Sequence, residues 1–313
     1  MKAAQYNTYG DSSVIEINSN APQPVLKEGQ VLVAVHAASI NPFDYKLRFG
    51  YMKDGIPLSF PVTLGGDFSG IVTDVAKSVT EVQIGDAVYG QALIVNGGSG
   101  SLAEYAAANT KNISQKPKKV TFLEAASLPL VGVSAVQALE EHIKLYSGQR
   151  IVIHGGAGGI GSIAIQLAKH LGAYVITTVG TADVDFAKHL GADEVIDYKT
   201  QKFEEIVENV DAVFDTVGGE TTNKSFAVLK KGGVLVSMAG QPDPDLAKQH
   251  GVTALTQSTG TIAGRLNRLA ELVDQGVIKP QIDKVFPLDQ AAQAFDYLEK
   301  GHPKGKVVVK IKE

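Results

Sequence analysis

Apolar and polar positions change rhythm twice along this chain. Over the first third, short apolar runs are cut by turn residues, and residues 31–35, 70–72 and 85–90 read as short strands. Pro22, Pro24, Pro42, Pro57 and Pro61 argue against long helices in this β-rich stretch. Near Thr121 the texture turns helical. Thr121 with Glu124 at the third helical position forms a capping box, and Ala/Leu-rich sequence to Leu145 predicts a helix.

From Arg150 onward, apolar runs of strand length alternate with segments of helical period. Residues 151–154 predict a buried strand, and residues 160–171 a helix with Ile160, Ile163, Ala164, Leu167, Ala168 and Leu171 on one face. Residues 173–179, 195–196, 212–214 and 234–237 predict further strands, with helices at 184–190 and 266–276. Strands separated by helices imply a parallel, doubly wound sheet, so the class is α/β. Residues 306–312 read as a strand again, which returns the tail to the β-rich domain. Linkers are expected at 117–120 and 276–282.

Composition narrows the function. The 313 residues suggest two domains, and 44% hydrophobic content supplies ample core. A net charge of −4 without a basic block argues against nucleic acid and anionic membrane as partners. The absence of cysteine removes disulfides, thiolate chemistry and Cys-ligated metal. The first residues form no apolar leader core and no run reaches membrane-spanning length, so a cytoplasmic protein is expected.

The strongest chemical signal is glycine-rich. Residues 155–161 contain G-x-G-x-x-G at Gly156, Gly158 and Gly161, after a predicted strand and opening a predicted helix. In that context Gly156 permits the turn, Gly158 lets a pyrophosphate approach, and Gly161 lets helix and strand pack closely. With Ala157, Gly159 and Ile160 the loop presents free N–H groups to an anion at a helix N-terminus. The end of the second strand should distinguish the two nicotinamide dinucleotides. It reads Thr177, Thr178, Val179, Gly180, Thr181, with no acid before Asp183 and no cation before Lys188. The missing acid favours NADP, with hydroxyls such as that of Thr178 serving the 2′-phosphate. NADH preference remains the alternative. So does a protein that binds a nucleotide without catalysis.

These residues resemble the zinc-free quinone oxidoreductase branch of the medium-chain dehydrogenase/reductase superfamily. The markers are residues 39–44, 65–70, 85–90 and 127–129, the glycine loop, residues 190–193, and residues 301–306. The resemblance implies a GroES-like β-barrel domain over 1–122, completed by 277–313, and a Rossmann domain over 123–276. Zinc-dependent relatives carry Cys where this chain has Asn41, and Gly-His-Glu where it has Gly65, Gly66 and Asp67. No zinc is therefore expected, and Asp44 and Asp67 are read as structural acceptors. A metal-free site implies a substrate that accepts hydride readily, a quinone or an α,β-unsaturated carbonyl. The resemblance puts Asn41 and Tyr51 at the substrate, with Tyr45 a weaker candidate. It puts Ser134, Val217, Met238, Ala239 and Lys306 at the cofactor. It also implies a homodimer or homotetramer. Tyr198 and Lys202 match a Tyr-x-x-x-Lys pair by spacing alone, and His154 reads as a structural histidine.

Overall fold

The computed structural model of the chain describes residues 1–312, which form two compact units. The first comprises Met1–Leu130, Thr261–Gln275 and the stretch from Pro280 onward; the second comprises Val131–Gly260 and Gly276–Lys279.

The first unit is built on a seven-stranded sheet in the order Ile282–Pro287, Lys306–Lys310, Gln30–Ile40, Asp67–Val75, Ala87–Gln91 and Ile113–Gln115, with Tyr105–Asn109 also paired to Gln30–Ile40. Alternating residues Val31, Val33 and Val35 meet Phe68, Val72 and Val88 in its core. The tail strand pairs antiparallel with Gln30–Ile40, Val307 opposite Ile40, so the chain does return to this unit. A short helix, Pro42–Arg48, follows the long strand; its first residue is a proline, which lacks the N–H a first turn leaves unpaired anyway.

The second unit is a six-stranded parallel sheet in the order Glu194–Asp197, Tyr174–Val179, Arg150–His154, Val210–Asp215, Leu229–Ser237 and Thr253–Thr256. Numbered within the unit this is 3-2-1-4-5-6, the doubly wound order. Its strands are apolar nearly throughout because helices cover both faces; Val152, Ile176, Val213 and Leu235 share one core. Register aligns Thr178, His154, Asp215, Ser237 and Thr256 in one row at the carboxyl edge.

Three expectations are corrected. The units divide after Leu130 and Gly260, not at 122/123 and 276/277. The reason lies in packing: Ser69 donates to the Phe122 carbonyl at 2.5 Å, and Tyr89 donates to the Leu266 carbonyl at 2.6 Å, which anchors both segments to the first unit. Residues 117–120 consequently lie within that unit and link nothing. The predicted helix from Thr121 is three pieces, Phe122–Ala126, Pro129–Val136 and a π-helix over Gln137–His142. Pro129 has no N–H to continue the first helix, while the Thr121–Glu124 capping box is present as expected.

Candidate functional site

Two clusters of polar residues stand apart from the ordinary cores, one in each unit. In the parallel unit, Arg150–His154 leads into the glycine loop and then into the helix Gly159–His170. The N–H groups of Gly155 and Gly156 both bond to the Thr178 carbonyl, at 3.1 and 3.2 Å, which turns the chain back across the second strand. A Cβ on Gly156 would lie 2.1 Å from Thr177 Oγ1, and one on Gly161 would lie 2.2 Å from the Gly155 carbonyl oxygen. Those two glycines are required by the protein itself. Gly158 is not: a Cβ there would meet nothing nearer than the Gly155 oxygen at 3.4 Å. As the helix-capping residue, Gly158 has no side chain to bond the first N–H groups of the helix. A cradle left open at Gly158 fits a pyrophosphate.

Below the loop sits His154, fully buried between Thr178 Oγ1 at 2.9 Å and Ser225 Oγ at 3.0 Å. Ser225 donates onward to the Thr221 carbonyl, so it accepts from Nε2–H, and Nδ1 accepts from Thr178. Burial pushes the imidazole down to about 4 and keeps it neutral. His154 is structural, as the sequence reading holds. Asp215, also fully buried, accepts from the N–H groups of Val217 and Gly218 at 2.9 and 3.1 Å and from Thr222 Oγ1. It thereby shapes the turn that carries Val217, which is 54% exposed. Met238 N–H bonds the Asp215 carbonyl and Ala239 N–H bonds Ser237 Oγ, at 2.8 and 3.2 Å, on the same edge. Ser134 Oγ pairs with Thr259 Oγ1 at 2.7 Å, and the Ser134 carbonyl accepts from Gln257.

The ribose end departs from expectation. Thr177 Oγ1 donates to the Ile153 carbonyl at 2.6 Å, and Thr178 Oγ1 is held by His154. Both hydroxyls are buried, because the strand lies inside the sheet with helices on either side. Neither is a donor to a 2′-phosphate in this arrangement. What stands at that edge instead is Asp197, whose carboxylate accepts from Thr181 Oγ1 at 2.7 Å, with Tyr198 and Lys199 beyond it. The sequence reading did not weigh Asp197, which comes from the third strand, where no spacing rule looks.

In the β unit, Asn41 and Lys306 meet. The Asn41 amide nitrogen donates to Asp67 Oδ2 at 3.0 Å, and its oxygen accepts from Lys306 Nζ. Lys306 also donates to the Ile40 carbonyl at 2.9 Å and lies 4.0 Å from Asp67 Oδ2. Gln91 Nε2 and the Leu130 N–H complete the Asp67 shell at 2.7 and 3.2 Å. Asp44 accepts from the Asn41 N–H at 2.8 Å. All of these side chains are buried. Desolvation pushes Asp44 up to about 7 and raises Asp67, while it lowers Lys306 against the pull of both acids. One lysine thus faces two carboxyl groups, and burial raises both acids. Asp44 and Asp67 do accept backbone N–H bonds, as expected, and Lys306, which the resemblance puts at the cofactor, is buried in this cluster with its amine on Asn41 and the Ile40 carbonyl. Tyr51 lies elsewhere, 71% exposed and stacked on Phe49 at 5.4 Å.

A zinc ion does not fit this donor set. Gly66 has no ligating atom, the Asn41 oxygen faces an ammonium, and that ammonium sits beside Asp67 where a cation would have to go. Among the described residues, no group of three or more His, Asp or Glu is placed to hold a metal.

Comparison with known proteins gives a consistent answer. Residues 27–118 match the alcohol dehydrogenase GroES-like domain, and residues 190–309 match the zinc-binding dehydrogenase family. The chain is 40% identical over 318 residues to a 2-methylene-furan-3-one reductase of Solanum lycopersicum, covering 99% of this chain and 79% of that protein. It is 37% identical, with the same coverages of 99% and 79%, to the chloroplastic NADPH-dependent alkenal/one oxidoreductase of Arabidopsis thaliana. Among solved structures, the quinone oxidoreductase from Coxiella burnetii superposes with a TM-score of 0.91 at 37% identity, over 100% of this chain and 99% of that one.

Proposed function

The chain belongs to the quinone oxidoreductase branch of the medium-chain dehydrogenase/reductase superfamily, and from that premise we propose that it is an NADPH-dependent reductase of quinones and α,β-unsaturated carbonyls. The observation that supports the reading is the glycine loop: Gly156 and Gly161 answer to packing, whereas no neighbouring protein atom demands a glycine at Gly158, which leaves room for a pyrophosphate. Residues 156–161 hold the pyrophosphate through backbone N–H groups, and Val217, Met238, Ala239 and Ser134 line the remainder of the dinucleotide. When bound, the reduced nicotinamide supplies a hydride to the β-carbon of an enone or to a quinone.

The β unit determines which substrates respond. An ammonium held by Asp67 and Asn41 replaces the Lewis acid that would activate a simple ketone. Neutral donors such as the Tyr51 hydroxyl are left to receive the carbonyl oxygen, and they suit a substrate that is already electron-poor. Asn41, engaged on both sides of its amide, orients the Asp67–Lys306 pair.

The test is a substrate panel with the pure protein and NADPH, followed by nicotinamide absorbance. Quinones and enals should be reduced, with simple ketones nearly inert. A simple ketone turned over faster than every enal would overturn the assignment.

A further inference from the structure

Resting on the dinucleotide reading above, we propose that Asp197 is the residue that sets the discrimination between NADPH and NADH. In a doubly wound unit the adenosine ribose lies at the carboxyl end of the second strand. An acid there accepts from the ribose hydroxyls and repels a 2′-phosphate. Here the second strand, Tyr174–Val179, ends without an acid, and the neighbouring strand supplies one. Asp197 is the last residue of Glu194–Asp197, with its Cα paired to Val179 in a parallel ladder whose strands lie about 4.8 Å apart. The Thr181 hydroxyl reaches its Oδ2 at 2.7 Å, so the carboxylate is turned toward the backbone that follows the second strand. That hydrogen bond, with the Lys199 N–H on Oδ1 at 3.0 Å, holds the carboxyl below its usual range and therefore ionised.

The hydroxyls that could serve a phosphate are engaged elsewhere. Thr177 bonds the Ile153 carbonyl, Thr178 bonds His154, and Thr181 bonds Asp197 itself. Tyr198 and Lys199, which follow Asp197, are exposed, and the Lys199 ammonium lies over the Tyr198 ring, 5.4 Å from its centroid. A Cβ on Gly180 would stand 3.4 Å from the Tyr198 hydroxyl, which puts that phenol beside the turn. A 2′-phosphate at this edge thus meets the Asp197 carboxylate, whereas the free ribose hydroxyls of NADH find in it an acceptor.

The probes are 2′,5′-ADP and 5′-ADP, titrated calorimetrically into the wild type, Asp197→Asn and Thr181→Val. Asparagine keeps its oxygen as acceptor for the Lys199 N–H and can turn its amide NH2 to donate to the Thr181 hydroxyl, so the exchange removes charge and retains the turn. Asp197→Asn should bind 2′,5′-ADP about tenfold more tightly, from loss of one charge repulsion at close range, and 5′-ADP no more tightly than the wild type. Thr181→Val, which keeps the charge, should gain nothing for 2′,5′-ADP. An unchanged ratio of the two affinities in Asp197→Asn, or an equal gain in Thr181→Val, overturns this proposal alone. A wild type that binds neither probe overturns the dinucleotide reading and this proposal with it.

Discussion

Within the β unit, one lysine faces two carboxyl groups in a volume closed to water, and the three do not respond alike to substitution. Asp67 is the partner of Lys306 and its removal leaves a buried ammonium without a counter-charge. Asp67→Asn should therefore cost roughly 3–5 kcal/mol of stability, measured by denaturant unfolding. Asp44 behaves differently. Its folded value of about 7 lies above the ordinary carboxylate value of 3.8, so the folded state binds the proton more tightly. Stability from this group is present at low pH and is lost as pH rises toward about 7. Asp44→Asn, which keeps an acceptor for the Asn41 N–H, should gain on the wild type as pH rises through that window. Equal losses for both substitutions at every pH would contradict this division of roles. The residues of the cluster were legible in the sequence, but their meeting was not. Lys306 reaches Asn41 and Asp67 only because the tail strand pairs with residues 37–40, and no local pattern reports a pairing across most of the chain.

Among the elements, the glycine loop was the most legible because its requirements are local: a strand, a turn and a helix in sequence. It also gives the cleanest separation of folding from binding. Gly158 has a φ of −73° and an open Cβ direction, so Gly158→Ala should fold with near-native stability. Its methyl group would stand where the pyrophosphate approaches, and NADPH affinity should fall by about tenfold or more. Gly161→Ala should instead lower the unfolding free energy by about 1–3 kcal/mol, because its methyl group would overlap the Gly155 carbonyl. If both variants lose stability equally, Gly158 serves packing and the case for a ligand there fails. Elsewhere the reading ran short where tertiary contacts decide. The helix Ala291–Lys300 buries Ala291, Ala294 and Phe295, an i, i+3, i+4 set that the periodicity could have revealed. The π-helix at Gln137–His142 could not be foreseen: Gln137 bonds the Ser258 carbonyl and the Gly260 N–H, both more than a hundred residues away. Thr177 and Thr178 misled because a hydroxyl in sequence does not declare which side of a sheet it enters.

At the scale of the whole molecule, the fold class and both kinds of unit were legible, since alternating strand and helix periods and a returning tail strand leave few topologies open. The unit boundaries were not, because two segments of helical period pack with the β unit. Family membership carries zinc-binding in one of its names, yet the Asn41–Asp67–Lys306 cluster, with Gly66 beside it, is not a donor set for zinc. Elemental analysis of the pure protein should accordingly find no stoichiometric zinc, and chelators should leave turnover unchanged; zinc lost together with activity would contradict that. Under the proposed function, hydride passes directly from NADPH to an electron-poor carbon. The most direct measurement uses NADPH deuterated at the transferable position of the nicotinamide, an α,β-unsaturated ketone, and NMR of the product. Deuterium should appear on the β-carbon and nowhere else. Deuterium on the carbinol carbon, or a product carrying only solvent hydrogen, would contradict the account.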